Sequence, residues 1–389
     1  MKRIKNYVAV ALAFTFTAFP AQAALGPAEI PAVFEKLVSS PTLSNPAMIV
    51  IDGSTGQTIY AKNIYAQRKP ASVIKILTGA MVLQYLDPLS VFTTTVTIAP
   101  ETNTLFIRGS LDPWISTNHR EARKMKRASL SHIASNSTNA VKQANAGALT
   151  NYTVVYSGLY AQDVKNLRVY WAKRGFKPKF KSSTDAQISA EISNPVVTET
   201  SPPVSKILNW MMLWSDNQLA ERLARLSARA AGQPFGILGA EKIFRKLLAE
   251  YEIDASKLVV KDASGLSREN KVTAQMMGQL LFKLRNDPRF LQLYSDLPVG
   301  GVSGTLNERF LETAPDAVGL VRAKTGTLNG TVNLAGFVET TDREYVFVAL
   351  ADQIPRGYTS SKKARAAIDK ILGRIAAPNI PAEISPLPL

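Results

Sequence analysis

Apolar positions recur along this chain in two rhythms, and the changes between them sketch its architecture. Residues 47–51, Ala-Met-Ile-Val-Ile, form a continuous apolar run of strand length. The turn-rich Asp52-Gly53-Ser54-Thr55-Gly56 follows and residues 57–61 return, so 48–62 predicts a hairpin. After Pro70, apolar residues from Ser72 to Tyr85 fall at helical spacing. Near residue 91 the texture changes. Short β-like pieces at 91–98 and 105–107 alternate with basic stretches and a Ser/Asn/Thr/Ala-rich patch at 129–150, so 91–197 reads as an inserted domain. Pro202-Pro203 precede a strong helix pattern over 204–231. Residues 273–285 predict a helix, 319–324, 333–339 and 344–351 three successive strands, and 360–375 a closing helix. Strands and helices at both chain ends, around an insert, predict an α/β domain built from 24–90 and 198–389.

The first residues have the pattern of an export signal. Lys2, Arg3 and Lys5 are followed by a short apolar stretch over 8–19 and the A-x-A site Ala21-Gln22-Ala23. Residues 1–23 therefore read as a cleaved signal peptide, with an uncleaved anchor helix as the alternative. Both place the protein in the periplasmic or extracellular cell-wall space. The chain has no cysteine, which excludes disulfides, lipidation at cysteine and thiolate chemistry. Its two histidines, His119 and His132, lie in a basic segment with no catalytic context. A Ser-His-Asp triad and a His-rich zinc site are both disfavoured, and no metal or organic cofactor is expected. The formal net charge is +16, and much of the excess is local: residues 106–183 hold fourteen Lys or Arg against three Asp or Glu. For an exported protein, anionic wall polymers or a membrane surface are the natural partners of such a segment, not nucleic acid. A solvated charged face is the plainer alternative.

Three short motifs carry candidate chemistry. Ser72-Val73-Ile74-Lys75 opens a predicted helix, so the hydroxyl and the amine share one face at i and i+3. A hydroxyl needs a base to become a nucleophile, and a lysine becomes one when burial or a nearby cation lowers its proton affinity. The helix N-terminus adds positive potential where an oxyanion forms. An ordinary N-cap serine is the competing explanation. The same S-x-x-K spacing recurs at Ser360–Lys363, on a lysine-rich helix without such a setting. Ser215-Asp216-Asn217 interrupts an amphipathic helix run, either as a solvent-facing turn or as a proton relay and an amide beside the lysine. Lys324-Thr325-Gly326-Thr327 closes a predicted strand. Its ammonium and hydroxyls suit a substrate ending in a carboxylate, and Gly326 permits close approach by a ligand. An edge strand with a bulge is the alternative. Lys324 near Lys75 would also depress the proton affinity of Lys75.

Order and context together resemble the D-alanyl-D-alanine carboxypeptidase/endopeptidase family, the class C low-molecular-mass penicillin-binding proteins. The segments Asp262-Ala263-Ser264-Gly265-Leu266-Ser267-Arg268-Glu269-Asn270 and Leu297-Pro298-Val299-Gly300-Gly301 through Gly304-Thr305-Leu306 resemble that family's D-G-S-G-L-S-R-x-N and L-P-V-x-G-x-x-G-T-L segments. Ser201-Pro202-Pro203 and Gly109-Ser110-Leu111-Asp112-Pro113 fit as well. The resemblance covers 45–90 and 198–375 and only poorly the insert, which is shorter than is usual in the family; Ala263 stands where the family commonly has glycine.

The resemblance implies an α/β (α+β) penicillin-recognising serine transferase/β-lactamase-like fold. In it an antiparallel sheet flanked by helices lies next to an all-helical lobe, with an inserted domain. It implies Ser72 as nucleophile, Lys75 as base, Ser215 and Asn217 as relay, and Lys324 as carboxylate binder. Thr325, Gly326 and Thr327 are the substrate-binding residues, and the backbone N–H groups of Ser72 and Thr327 the oxyanion hole. The expected substrates are peptidoglycan stem peptides, with β-lactams as covalent inhibitors. Two rivals remain: a β-lactamase, disfavoured because no Glu-x-x-Leu-Asn segment occurs, and a non-catalytic cell-wall-binding protein with the same fold, disfavoured by the intact trio.

Overall fold

The computed structural model describes residues 24–149, 151–191 and 194–377; the leader assigned to 1–23 lies outside them. Helix α1 (Ile30–Val38) precedes the hairpin β1 (Ala47–Asp52) and β2 (Thr58–Lys62). A 3-10 turn at Ala71–Ile74 runs into α2 (Lys75–Tyr85). The middle of the chain holds β3 (Thr93–Ala99), β4 (Thr104–Gly109), α3 (His119–Met125), α4 (Leu130–Ala144), β5 (Thr153–Ser157), α5 (Ala161–Ala172), β6 (Lys179–Ser182), α6 (Asp185–Ser189) and β7 (Val197–Thr200). Helices α7 (Val204–Trp214), α8 (Asn217–Ala230), α9 (Ile237–Glu250), α10 (Ala274–Arg285) and α11 (Leu291–Ser295) follow. The chain then returns through β8 (Val321–Leu328), β9 (Thr331–Glu339) and β10 (Glu344–Ala351) to α12 (Tyr358–Gly373).

Among the described residues the strands form two sheets. The first has the order β2-β1-β10-β9-β8 and is antiparallel throughout, so strands from the two ends of the chain meet at β1–β10. Both of its faces are covered, which is why β1 and β10 read as continuous apolar runs. Alternate residues go to opposite cores. Ile49, Ile51, Val346, Val348 and Leu350 pack with the helical lobe of α2 and α7–α10. Met48, Val50, Phe347 and Ala349 pack with Phe34 and Val38 of α1 and with Ile368 and Leu372 of α12. The second sheet, β6-β5-β4-β3-β7, is mixed, with β4–β5 and β5–β6 parallel. It has a separate core around Val96, Leu105, Ile133, Val154 and Trp171.

Three expectations change. The 204–231 helix is two helices: Ser215 takes a left-handed conformation, φ 60°, that ends α7. Asp216 then caps α8, its side chain accepting the Leu219 N–H at 2.9 Å. The Ser72–Tyr85 helix starts as a 3-10 turn. The polar patch at 129–150 contains the 15-residue helix α4, capped by Ser129, whose apolar stripe is narrow but buried.

Candidate active site

Ser72 sits in the 3-10 turn just before α2, and the backbone around it is held from three sides. Asn333, paired with Gly326 in the β8–β9 register, donates from Nδ2 to the carbonyls of Lys69 and Pro70, both at 2.8 Å. Asp352 accepts the Lys69 N–H at 3.0 Å. On the third side lies the loop 262–270. Ala71 has φ 46°, a sparsely populated region for a residue with a Cβ. A Cβ on Gly265, itself at φ 84°, would lie 1.9 Å from the Ala71 carbonyl oxygen and 2.9 Å from the Ser72 nitrogen. Glycine at 265 is thus a packing requirement of the nucleophile turn. Gly326 is another, since a Cβ there would meet the Pro70 carbonyl at 2.6 Å. The close approach seen at Gly326 is that of the chain's own serine turn.

Lys75 is fully buried, and its Nζ makes three contacts: Ser72 Oγ at 2.9 Å, Asn217 Oδ1 at 2.7 Å and the Ser264 carbonyl at 2.6 Å. Burial lowers its pKa to about 8, against the opposing pull of Asp262, Asp216 and Glu221. Two of those carboxylates, Glu221 and Asp262, also build the loop that presents Ser264. Glu221 accepts the N–H groups of Ala263 and Ser264, each at 2.9 Å. Asp262 accepts from Ser264, Gly265, Ser267 and Asn270. Ala263 is not among the residues with positive φ, so a glycine's freedom is not needed there.

Lys324 is also fully buried; its Nζ donates to Ser215 Oγ at 2.8 Å and to the Thr325 carbonyl at 3.2 Å. Its proton affinity is lowered, first by burial and then by Lys75. Repulsion between two ammonium groups is mutual, so a charge on either lysine disfavours the charge on the other, as expected from their motifs. Thr325 Oγ1 meets Thr305 Oγ1 at 2.8 Å. Ser72, Ser215, Thr305, Arg309, Thr325, Thr327 and Arg365 line one cleft of about 280 Å3.

The three motifs thus converge: Ser72, Lys75 and Asn217 form one hydrogen-bonded group, Ser215 and Lys324 a second, and both open on the same cleft. Neither histidine lines the cleft. The two rings stack with centroids 5.1 Å apart in the middle of the chain, with His132 beside Glu199. Among the described residues no cluster of three or more His, Cys, Asp or Glu could hold a metal ion. Arg309 and Arg365 were not singled out in the sequence. Arg309 is locked on Asp369, with Nε 3.0 and 2.9 Å from the two carboxylate oxygens. Arg365 is half-buried on the cleft wall with no ion pair among the described residues. Burial and the Arg309 charge lower its proton affinity.

The model of the D-Ala-D-Ala carboxypeptidase 3 (S13) family matches residues 159–375, more than half the chain, and that of D-alanyl-D-alanine carboxypeptidase matches 35–167. Carboxypeptidase DacB of Mycolicibacterium smegmatis is 40% identical over 147 residues, 37% of this chain and 32% of that protein. D-alanyl-D-alanine carboxypeptidase DacB of Haemophilus influenzae is 36% identical over 172 residues, 43% of this chain and 35% of that protein. The matched segments thus span about a third of these relatives. The solved structure of penicillin binding protein 4 (dacB) from Haemophilus influenzae superposes with a TM-score of 0.68 at 18% identity, covering 90% of this chain and 98% of that one. A predatory endopeptidase from Bdellovibrio bacteriovorus, solved with an immunity protein, gives 0.58 at 17% identity, covering 85% and 92%.

Proposed function

The chain belongs to the D-Ala-D-Ala carboxypeptidase 3 (S13) family and has the penicillin-recognising serine-enzyme fold, and from that premise we propose that it is a serine DD-peptidase acting on peptidoglycan stem peptides. The observation that carries the proposal is the set of three contacts at the Lys75 amine. A neutral amine has two N–H groups and one lone pair. The Asn217 and Ser264 oxygens can only accept, so they take both N–H groups and turn the lone pair toward Ser72 Oγ, 2.9 Å away. Lowered proton affinity makes that neutral form accessible near pH 8.

Ser72 Oγ attacks the carbonyl between two D-Ala residues, and Lys75 takes its proton. The backbone N–H groups of Ser72 and Thr327 receive the oxyanion. The leaving amine gains a proton relayed through Lys75 and Ser215, and Asn217 keeps the lysine aligned. Lys324, with Thr325 and Thr327, receives the terminal carboxylate, and Gly326 lets their strand close on the serine turn. Water then hydrolyses the ester. Removal of terminal D-Ala and cleavage of a cross-link use the same steps with different leaving amines. A β-lactam acylates Ser72 in the same way, and with no Glu-x-x-Leu-Asn segment to activate water the adduct persists.

The proposed place of work is the periplasmic or extracellular cell-wall space, and no helix among the described residues is long and apolar enough to cross a membrane. The basic middle of the chain is proposed to dock on anionic wall polymers or the membrane surface. Lys124, Lys173, Lys177 and Lys181 are exposed there, whereas Arg127 is stacked on Trp114 at 4.7 Å and is part of the packing. The test is labelled penicillin with purified muropeptides. The wild type should acquire one label and release terminal D-Ala or separate cross-linked dimers by mass, and Ser72→Ala should do neither. A folded Ser72→Ala protein that still labels would sink the assignment of the nucleophile, and a wild type that neither labels nor cleaves would favour a non-catalytic wall-binding protein.

A further inference from the structure

A second concavity, of about 630 Å3, has walls that include Trp114, Trp210, Met125 and Pro203, with the exposed Lys126 and Lys206 at its rim. It joins the middle of the chain to α7 and shares no lining residue with the catalytic cleft. Trp114, Trp210 and Trp214 form a staircase. Successive ring centroids are 5.6 and 5.7 Å apart, and successive rings are tilted by 43° and 44°. The last step, Trp214, is 49% exposed and is followed in the chain by Ser215, which lines the catalytic cleft.

The staircase is built rather than incidental. The Trp114 N–H donates to Asp112 Oδ1 at 2.8 Å, and its carbonyl accepts Arg127 Nε at 2.7 Å. Asp112 Oδ2 accepts the Ser201 hydroxyl at 2.6 Å, which ties the Trp114 segment to the chain just before Pro202-Pro203. These bonds fix both walls, whereas an exposed Trp next to a catalytic residue costs solubility and contributes nothing to the core.

We propose that this groove binds the amino-sugar backbone of the wall polymer whose stem peptide enters the catalytic cleft. The inference rests on the peptidase assignment above. Three features favour a carbohydrate. Pyranose rings have an apolar C–H face that matches a flat aromatic platform, and hydroxyl or amide edges that need polar partners at the rim. Trp114 itself is buried with Arg127 over its ring, so the half-buried Trp210 and the exposed Trp214 are the rings that a sugar can meet. The rim cations Lys126 and Lys206 complement the carboxylates of the stem peptide that hangs from the sugar. Trp214 stacks on Trp210 of the groove and precedes Ser215 of the cleft in the chain, so one turn of α7 links the two sites.

Two arms test this. In the first, N-acetylglucosamine oligomers are titrated while tryptophan fluorescence is read. The wild type should show a saturable change, and Trp210→Ala should weaken it about tenfold, equivalent to about 1.4 kcal/mol. In the second, kcat/KM is measured on a disaccharide-linked stem peptide and on the same peptide without sugar. The wild type should prefer the sugar-bearing form through KM. Trp210→Ala and Trp214→Phe should erase the preference while penicillin acylation and the kinetics of the sugar-free peptide stay unchanged. No saturable response to the oligomers, or equal kinetics on both substrates, overturns the proposal. A preference that survives in a Trp210→Ala protein with normal acylation also overturns it, and a groove that answers only to longer peptides is a peptide site instead. The binding arm needs no turnover, so failure of the peptidase assignment would show as absent acylation with sugar binding intact.

Discussion

Glu221→Gln separates the charge that tunes Lys75 from the hydrogen bonds that shape its surroundings. Glu221 Oε1 accepts two backbone N–H groups, from Ala263 and Ser264, and a glutamine carbonyl can accept both. Only the negative charge is lost. The Lys75 amine is 2.6 Å from the Ser264 carbonyl, and the Ser264 N–H is 2.9 Å from Glu221. With about 3 Å between the ends of one residue, the charges are at most roughly 9 Å apart. At an effective dielectric of about 20 that separation is worth about 1.8 kcal/mol, or about 1.3 pH units. Glu221 is half-exposed, so solvent reduces the shift to about 0.5–1 unit. A carboxylate favours the charged lysine, so its removal lowers the lysine pKa from about 8. The rate of acylation by a fluorescent penicillin rises with pH as Lys75 loses its proton. Its midpoint should therefore move from near 8 in the wild type toward about 7–7.5 in the variant. A weaker base also transfers the proton less well, so the alkaline plateau should fall about two- to threefold. The net rate at pH 7 then changes little, and the midpoint is the informative readout. A midpoint that stays in place or rises, in a variant of unchanged thermal stability, would refute burial-tuned base catalysis by Lys75.

Gly265→Ala should drive its Cβ into the Ala71 carbonyl at 1.9 Å and push the Ser72 turn aside. Acylation should fall by at least about 10²-fold with a loss of about 2–3 kcal/mol in urea unfolding, and near-normal acylation would show that the turn tolerates displacement. Arg365→Gln should raise KM about tenfold for peptides ending in a free carboxylate and leave C-terminally amidated peptides unaffected; equal effects on both would make Arg365 a packing residue. Reversing Lys124, Lys173, Lys177 and Lys181 to glutamate should release the protein from isolated cell walls, as should raising salt, because exposed charges are screened over about 10 Å at 0.1 M. Wall binding indifferent to both changes would leave the basic segment as scaffold.

What the sequence made legible was local, and what it hid depends on contacts between distant segments. Ser72 and Lys75 lie one helical turn apart, so their shared face follows from spacing alone. The partners that turn Lys75 into a base come from elsewhere: Asn217 is 142 residues away and Ser264 is 189. The family resemblance supplied the first, and nothing in periodicity supplied the second, because a backbone carbonyl leaves no mark on side-chain pattern. Pattern missed the end of α7 for a related reason. A serine in the left-handed conformation is uncommon, and the propensities of Trp214 and Leu219 on either side favour a continuous helix. The one visible sign was the polar triplet itself, and its placement between two helices explains why it is polar. Ser215 has to leave the helix to reach Lys324, and Asp216 has to restart it. Gly326 carries a requirement that pattern does not show: a Cβ there would meet the Pro70 carbonyl of the serine turn. Motif glycines at 265 and 326 both serve the contact between segments, and that contact holds the strained turn on which Ser72 sits.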